Sequence, residues 1–178
     1  MCAYRMATKP WVARDYKSCT GCRLCEVACS LKHEGRIWPE ASRVRVFMLI
    51  PGVEVPHLCT QCKDYPCVES CPYEALSVDE ETGAVIVNDE KCTACGACIE
   101  ACPGEVPHLH PDRKRIIICD LCGGEPECAK ICERMGLDAL IKSTRSVSKN
   151  YDLYAKRPEE ITRDLAIGIY GEKGEEFI

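Results

Sequence analysis

The chain has 178 residues, 17 of them cysteines, and its 28 acidic and 23 basic side chains give a formal net charge of −5 at pH 7. This length is enough for one or two small domains, and the acidic balance offers no basic surface for nucleic acid. The N-terminal segment lacks the apolar run and cleavage site of a signal peptide, and no apolar stretch reaches the roughly 18 residues of a membrane span. We therefore expect a cytoplasmic protein, whose cysteines are metal ligands rather than disulfides.

Sixteen of the cysteines fall into four groups of four, and Cys2 stands apart as a free or buried thiol. In chain order the groups are Cys19, Cys22, Cys25 and Cys29; Cys59, Cys62, Cys67 and Cys71; Cys92, Cys95, Cys98 and Cys102; and Cys119, Cys122, Cys128 and Cys132. The first and third groups have the spacing C-x2-C-x2-C-x3-C of bacterial ferredoxins, in which three cysteines hold one [4Fe–4S] cube and the fourth holds a neighbouring cube. A tetrahedral zinc site usually separates two cysteine pairs by a longer linker.

The second and fourth groups widen the middle gap but keep the last two cysteines four residues apart. Residues at i and i+4 share one face of a helix, so one short helix can carry ligands toward two cubes. A zinc site remains an alternative for the fourth group alone. Because fourth cysteines are exchanged in pairs, however, a zinc ion there would leave Cys29 without a cube to bind.

The segments between the groups predict a few short elements. Residues 44–50 (VRVFMLI) form an apolar strand ended by Pro51, with residues 115–118 as a candidate partner strand. Residues 76–78 and 85–87 alternate around a polar turn that ends at Gly83, a pattern typical of a β-hairpin. Near the C-terminus, RPEEITRDLA favours a helix with Pro158 in its first turn, and the three glycines from Gly168 onward are expected to break the segment after it.

The chain also repeats itself. DYKSCTGC before the first group matches DEKCTACG before the third, which indicates a duplicated unit. Pro72 and Pro103 follow the last cysteines of the second and third groups, as is usual in two-cluster ferredoxins. These two groups therefore form the more regular ferredoxin module, and it lies inside the other pair.

The chain resembles the four-cluster electron-transfer subunits of the dimethyl-sulfoxide-reductase type over about residues 15–142. The stretches that carry the resemblance are HLCTQCKDYPCVESCPYEAL, CTACGACIEACP and CDLC, the last followed by a widened gap before the third cysteine of its group. The resemblance implies an α+β fold of two bacterial-ferredoxin-like two-cluster modules, the second inserted in the first, with a C-terminal arm. The implied domains are an N-terminal arm (1–17), an outer module (18–50 plus 110–142), an inserted inner module (51–109) and an arm available for partner docking (143–178).

The resemblance also implies how the cysteines are shared among four [4Fe–4S] clusters. The first group pairs with the fourth, and the second with the third. Ligand set 1 is then Cys19, Cys22, Cys25 and Cys132; set 2 is Cys29, Cys119, Cys122 and Cys128; set 3 is Cys59, Cys62, Cys67 and Cys102; set 4 is Cys71, Cys92, Cys95 and Cys98.

Within this family, CTGCRLCEVACSLKHEG is similar to the first motif of cytoplasmic subunits that accompany tungsten enzymes, either class II benzoyl-CoA reductases or aldehyde oxidoreductases. The resemblance implies a relay of single electrons between a ferredoxin or flavin-containing subunit and a larger catalytic subunit with a tungsten- or molybdenum-pterin. It implies no direct membrane span.

The chain contains no Ser–His–Asp set, phosphate loop or open metal site, so we expect no catalysis by the chain itself. A free polyferredoxin carrier is the alternative function, and a zinc or iron–sulfur module with a structural or sensing role is a third. The four histidines are interpreted as surface or packing residues, since sixteen cysteines already complete four cubes. They are His33, His57, His108 and His110.

The four ligand sets predict about sixteen iron atoms per chain, four for each cube, and no stoichiometric zinc. Anaerobic elemental analysis of the purified protein measures both. A result of about twelve iron atoms and one zinc would mean that the fourth group holds a zinc ion instead.

Overall fold

A computed structural model describes residues 9–144 and 154–177, and Cys2 lies outside the described residues. The strands are β1 (Pro10–Arg14), β2 (Arg45–Ile50), β3 (Val53–His57), β4 (Leu76–Val78), β5 (Val85–Val87), β6 (His108–Leu109), β7 (Ile116–Ile117) and β8 (Leu140–Thr144). The α-helices are α1 (Leu24–Glu34), α2 (Pro66–Glu69), α3 (Ala97–Glu100), α4 (Glu127–Arg134) and α5 (Pro158–Tyr170). Short 3₁₀ segments cover Tyr16–Ser18, Pro39–Ala41, Leu121–Gly124 and Gly171–Phe177. The chain thus has the mixed helix and strand content that the sequence predicts.

The predicted hairpin between the second and third cysteine groups is confirmed. Strands β4 and β5 pair antiparallel with Leu76 opposite Val87. Gly83 has φ +71°, a conformation that costs glycine little, and its carbonyl accepts a hydrogen bond of 2.9 Å from the hydroxyl of Tyr65. The hairpin is therefore tied to the loop that carries the second cysteine group.

The strand predicted over residues 44–50 is confirmed as β2, but its predicted partner is wrong. Strand β2 pairs with β3, which comes after a turn at Pro51 and Gly52, where Gly52 has φ +80°. The predicted partner, residues 115–118, contributes β7, which pairs with β6. A partner two residues away closes a much smaller loop than one about sixty residues away, so the local hairpin costs less chain entropy.

The two ends of the cysteine-containing region are joined by a ribbon. Residues 10–14, within the predicted N-terminal arm, form β1 and pair antiparallel with β8. The amide of Asp15 continues the pairing by donating to the carbonyl of Ala139 at 2.9 Å. Helix α1 packs against α4, and α2 packs against α3. The first contact therefore joins the first and fourth cysteine groups, which are far apart in the sequence, and the second joins the consecutive second and third groups.

The main core is made of the cysteines themselves together with small apolar residues. Leu58, Ile116 and Leu121 are buried, and cysteines from all four groups pack among them. Because the thiols take up so much of this interior, the aliphatic core is small for the length of the chain. The packing of the main core therefore depends on what the thiols bind.

The helix predicted near Pro158 is confirmed as α5, which begins at that proline. It continues through Gly168 to Tyr170 and ends before Gly171, so the first of the three glycines does not break it. Ile161 and Ala166 pack against β2 and β3 in a second, smaller apolar cluster. Among the described residues, no helix is long and apolar enough to span a lipid bilayer.

We expect Ile161→Ala to loosen α5 from the β2–β3 ribbon, since Ile161 is 3% exposed and an Ile-to-Ala change in a core costs about 2–5 kcal/mol. Amide hydrogen exchange in α5 measures the free energy of this local opening. Ile169→Ala is the matched control, because Ile169 is 51% exposed, and it should change that free energy by less than about 0.5 kcal/mol. Equal protection of α5 in both variants would contradict the packing role of Ile161.

Candidate metal centres

All four cysteine groups begin with the same backbone curl. The residue just before the second cysteine of each group has a positive φ. These residues are Gly21 (+69°), Gln61 (+48°), Ala94 (+58°) and Leu121 (+55°). Three of the four are not glycine, although this conformation is unfavourable for a residue with a side chain. Such repeated strain persists only where the surroundings impose it, which marks these loops as candidate sites.

Short helices then position the third and fourth cysteines. Cys25 and Cys29 lie one turn apart in α1, and Cys128 and Cys132 lie one turn apart in α4. In the second and third groups the helices α2 and α3 are single turns, each holding the third cysteine, with the fourth just beyond its end. One helix therefore carries both cysteines, as the sequence predicts, in the first and fourth groups only.

The structure brings the cysteines of three predicted ligand sets together around three separate cavities. One cavity is lined by Cys19, Cys22, Cys25 and Cys132, a second by Cys59, Cys62, Cys67 and Cys102, and a third by Cys71, Cys92, Cys95 and Cys98. Each cavity joins cysteines from two groups, with three ligands from one group and a single ligand from the other.

Ligand set 2 is brought together as well, deep in the interior. Burial raises the pKa of Cys128 well above the ordinary thiol value, and the charges of Cys29 and Cys122 raise it further. Burial likewise raises the pKa of Cys119, and the charges of Cys128, Cys59 and Cys29 raise it further. Cys119 of set 2 is therefore close to Cys59 of set 3, which makes these two sets neighbours.

The buried thiols would be protonated without a metal. Burial raises the pKa of Cys25 and of Cys59 to about 12, with further increases from nearby negative groups. Burial also raises the pKa of Cys67 to about 12 and that of Cys98 to about 11. Metal binding requires the thiolate form, so bound metal ions would supply the positive charge that keeps these sulfurs ionised.

Backbone amides point at the sulfur atoms, and the fourth cysteine of every group accepts one. The donors are Arg43 N to Cys29 Sγ (3.2 Å), Ala75 N to Cys71 Sγ (3.3 Å), Val106 N to Cys102 Sγ (3.5 Å) and Leu140 N to Cys132 Sγ (3.4 Å). Amide hydrogen bonds to the sulfurs stabilise thiolate charge and tune the reduction potential of an iron–sulfur cluster. Four converging thiols with amide donors therefore fit a [4Fe–4S] cube.

His33 lies beside ligand set 2. Its Nε2 is 3.0 Å from Asp120 Oδ1, and its Nδ1 is 2.8 Å from the carbonyl oxygen of Cys29 and 3.7 Å from Cys29 Sγ. Burial lowers its pKa, but hydrogen bonds to Asp120, Cys122 and Cys29 outweigh this and raise the pKa to about 12. One ligand atom from each of His33, Asp120 and Cys122 lies within 4.8 Å of the other two. A protonated imidazole has no lone pair for a metal, so His33 acts here as a hydrogen-bond donor.

The other histidines contact backbone and carboxylate groups rather than cysteines. His57 Nε2 is 2.7 Å from the carbonyl oxygen of Gly104, and burial lowers the pKa of His57 to about 4. His110 Nε2 is 3.3 Å from Glu34 Oε2. His108 Nδ1 is 3.2 Å from the carbonyl oxygen of Val106, and burial lowers the pKa of His108 to about 4.

Two charged residues near the cysteines were not predicted from the sequence. Glu26, next to Cys25, is 4% exposed and accepts a hydrogen bond of 2.6 Å from the amide of Val46. Arg14 is 5% exposed and donates to the carbonyl oxygens of Leu58 and Cys59. Nothing in the local sequence marks either as buried, because charged residues are usually on the surface.

Comparison with known proteins agrees with this chemistry. Residues 52–142 match the 4Fe-4S dicluster domain, and residues 16–32 match a 4Fe-4S binding domain. The aliphatic sulfonate oxidoreductase, polyferredoxin-like subunit, of Pyrococcus furiosus is 56% identical over 162 residues, covering 91% of this chain and 94% of that one. Electron transport protein HydN of Escherichia coli is 32% identical over 147 residues, covering 68% of this chain and 82% of that one.

A solved structure, the active site complex BamBC of benzoyl coenzyme A reductase with benzoyl-CoA, aligns over 92% of this chain and 93% of that chain, with 26% identity and a TM-score of 0.45. The chain belongs to the 4Fe-4S dicluster domain family, and the prediction of iron–sulfur binding is confirmed. The relatives are named as a polyferredoxin-like subunit and an electron transport protein rather than as catalytic chains, as the sequence predicts.

The predicted sharing of cysteine ligands between groups can be tested with two variants. We expect Cys29→Ser to damage the cube of Cys119, Cys122 and Cys128, and Cys132→Ser to damage that of Cys19, Cys22 and Cys25, because each fourth cysteine serves the neighbouring cube. Iron analysis with electron paramagnetic resonance of the reduced variants distinguishes the two losses. An experimental structure with Cys29 and Cys19 on one cube would contradict the exchange.

Proposed function

We propose that this chain is the electron-transfer subunit of a multisubunit oxidoreductase and holds four [4Fe–4S] clusters in ligand sets 1 to 4. The observation that carries the proposal is that three sets each line one cavity, while the thiols of set 2 are close enough to interact electrostatically. When bound, each cluster takes up and releases one electron at a time. The residues of the chain hold the sulfurs, direct amides at them and exclude water.

The burial of the cysteines supports an order along the chain. Sets 1 and 4 each contain one exposed cysteine, Cys22 and Cys95 respectively, whereas sets 2 and 3 each contain three buried cysteines and none that is exposed. Helix α1 links set 1 to set 2, and the closeness of Cys119 to Cys59 links set 2 to set 3. The loop that holds Cys67 and Cys71 links set 3 to set 4. We therefore propose that partners exchange electrons at sets 1 and 4, and that sets 2 and 3 form the interior of the path.

We also propose that the chain consists of an outer module (18–50 plus 110–142), an inserted inner module (51–109) and a C-terminal arm (143–178) for partner docking, preceded by an N-terminal arm (1–17). The packing of α1 on α4 and of α2 on α3 supports the nesting of the modules. The pairing of β1 with β8 brings the two ends of the outer module together. It also adds residues 10–14 of the N-terminal arm and 143–144 of the C-terminal arm to that module.

The proposed partner at one end is a larger catalytic subunit with a tungsten- or molybdenum-pterin, and at the other end a ferredoxin or a flavin-containing subunit. The relative from Pyrococcus furiosus supports the first part, since its name makes it a subunit of an oxidoreductase and the identity of 56% extends over 94% of its length. A cytoplasmic location is part of the same proposal.

If the chain is a subunit, the native protein will purify with a larger chain, and the isolated chain will reduce no organic substrate because its proposed role is only to exchange single electrons with its partners. Native mass spectrometry of the anaerobically purified protein measures the assembly. A monomer near the chain mass of 19.8 kDa that exchanges electrons with several unrelated enzymes would instead support the free polyferredoxin carrier.

A further inference from the structure

Arg14 is a buried positive charge without a carboxylate partner in the described part of the chain. The residue is 5% exposed, and its Nε and Nη1 atoms are buried with no hydrogen-bond partner. Burying an unpaired charge is costly, so buried cations in proteins are normally paired with an anion. Arg14 therefore requires a negative group that the described part of the chain does not provide.

The guanidinium of Arg14 lies behind the loop that carries ligand set 3. Its Nη2 donates to the carbonyl oxygens of Leu58 at 2.7 Å and Cys59 at 3.0 Å. On its other side it stacks over the ring of Tyr154, 4.8 Å from the centroid. Tyr154 lines the same cavity as the four cysteines of set 3. The charge is therefore one layer of protein away from that cavity.

Trp11, on the same strand, contacts the next carbonyl of this loop. Its Nε1 donates to the carbonyl oxygen of Thr60 at 3.3 Å. The amide of Gln61, in the same peptide unit as that carbonyl, donates to Cys59 Sγ at 3.4 Å. Hydrogen bonds in such a chain polarise one another, so the bond from Trp11 strengthens the amide as a donor to the sulfur. Strand β1 thus supplies donors to three successive carbonyls.

Ligand set 1 has surroundings of the opposite sign. Glu26, whose side chain is 5% exposed, directly follows Cys25 and accepts a hydrogen bond of 2.6 Å from the amide of Val46, which lines the same cavity as set 1. The carboxylate of Glu54 lies against Gly21, between Cys19 and Cys22. Arg23, the cation paired with Glu26 at 3.4 Å, has a side chain that is 53% exposed and therefore well screened. Negative groups lie beside set 1, and an unpaired cation lies beside set 3.

We propose that Arg14 is the counter-charge of the cluster in set 3 and that, with Trp11, it makes this cluster easier to reduce than the cluster in set 1. The inference rests on the proposed function, in which set 3 holds a [4Fe–4S] cube. An all-thiolate cube carries a charge of about −2 when oxidised and gains one more negative charge from its electron donor on reduction, so a nearby buried cation favours the reduced form. Arg14 acts through charge and position and touches no substrate.

The test is a redox titration of the full chain, anaerobically purified with its native partners, with electron paramagnetic resonance as the readout. We expect Arg14→Gln to lower the equilibrium constant for reduction of the cluster in set 3 at least tenfold, which corresponds to about 59 mV for a one-electron couple. Arg14→Lys should have a potential close to that of the wild type because it keeps the charge. Trp11→Phe should shift the potential in the same direction as Arg14→Gln but by less. Lys114→Gln, which removes an exposed positive charge from the turn between β6 and β7, is the matched control and should leave the potential unchanged.

Iron content is measured on every variant, which separates this inference from the proposed function. If the wild-type chain has no cube in set 3, the proposed function itself fails. If Arg14→Gln keeps its full iron and no potential moves, the counter-charge role is wrong. If Arg14→Gln loses iron, the iron content and potential of Arg14→Lys distinguish a role of the charge from a role in packing. Full iron with a wild-type potential in that variant supports the charge, whereas equal loss of iron from it overturns the inference in favour of packing alone.

Discussion

The rest of this structure depends on the gathering of cysteine sulfurs from all four groups in and around one core. A thiolate in a protein interior is stable only beside positive charge and hydrogen-bond donors, and the chain supplies the donors from its backbone. This requirement accounts for the left-handed residue before the second cysteine of each group, including Gln61, Ala94 and Leu121, because that curl turns amides inward. It also accounts for the short helices and two-stranded ribbons, since few residues remain between ligands to extend them.

Polar contacts of the buried Glu34 side chain, at the last residue of α1, connect distant segments that the small aliphatic core would hold only weakly. Glu34, whose side chain is 2% exposed, contacts Arg43 at 3.5 Å, His110 at 3.3 Å and Arg115 at 3.7 Å. Removing one partner of such a buried network leaves a charge uncompensated, which is far more costly than losing a surface ion pair. The network therefore restrains the segment before the fourth cysteine group against the helix that carries Cys29.

Electrostatics and exposure together suit the chain to moving electrons rather than to transforming a substrate. The cavities are lined by thiols and apolar side chains, and in the described residues the buried charges face backbone, other charges or the ligand loops. Among the described cysteines, Cys22 and Cys95 are exposed, and they belong to different cysteine groups. If the proposed sets hold clusters, the differing charges beside them, with Glu26 near one and Arg14 near another, would give chemically identical sites different potentials.

The sequence by itself determined the chemistry: four cysteine groups, their spacing, the family they indicate and the local elements, such as the 76–87 hairpin and the helix at Pro158. These are local properties, because ligand spacing and turn residues act over a few positions. Only the tertiary structure decided the partner of β2, the pairing of β1 with β8, and the burial of Arg14 and Glu26. The reason is physical: the pairing partner of a strand and the environment of a charge depend on segments far apart in the chain, which no local pattern records.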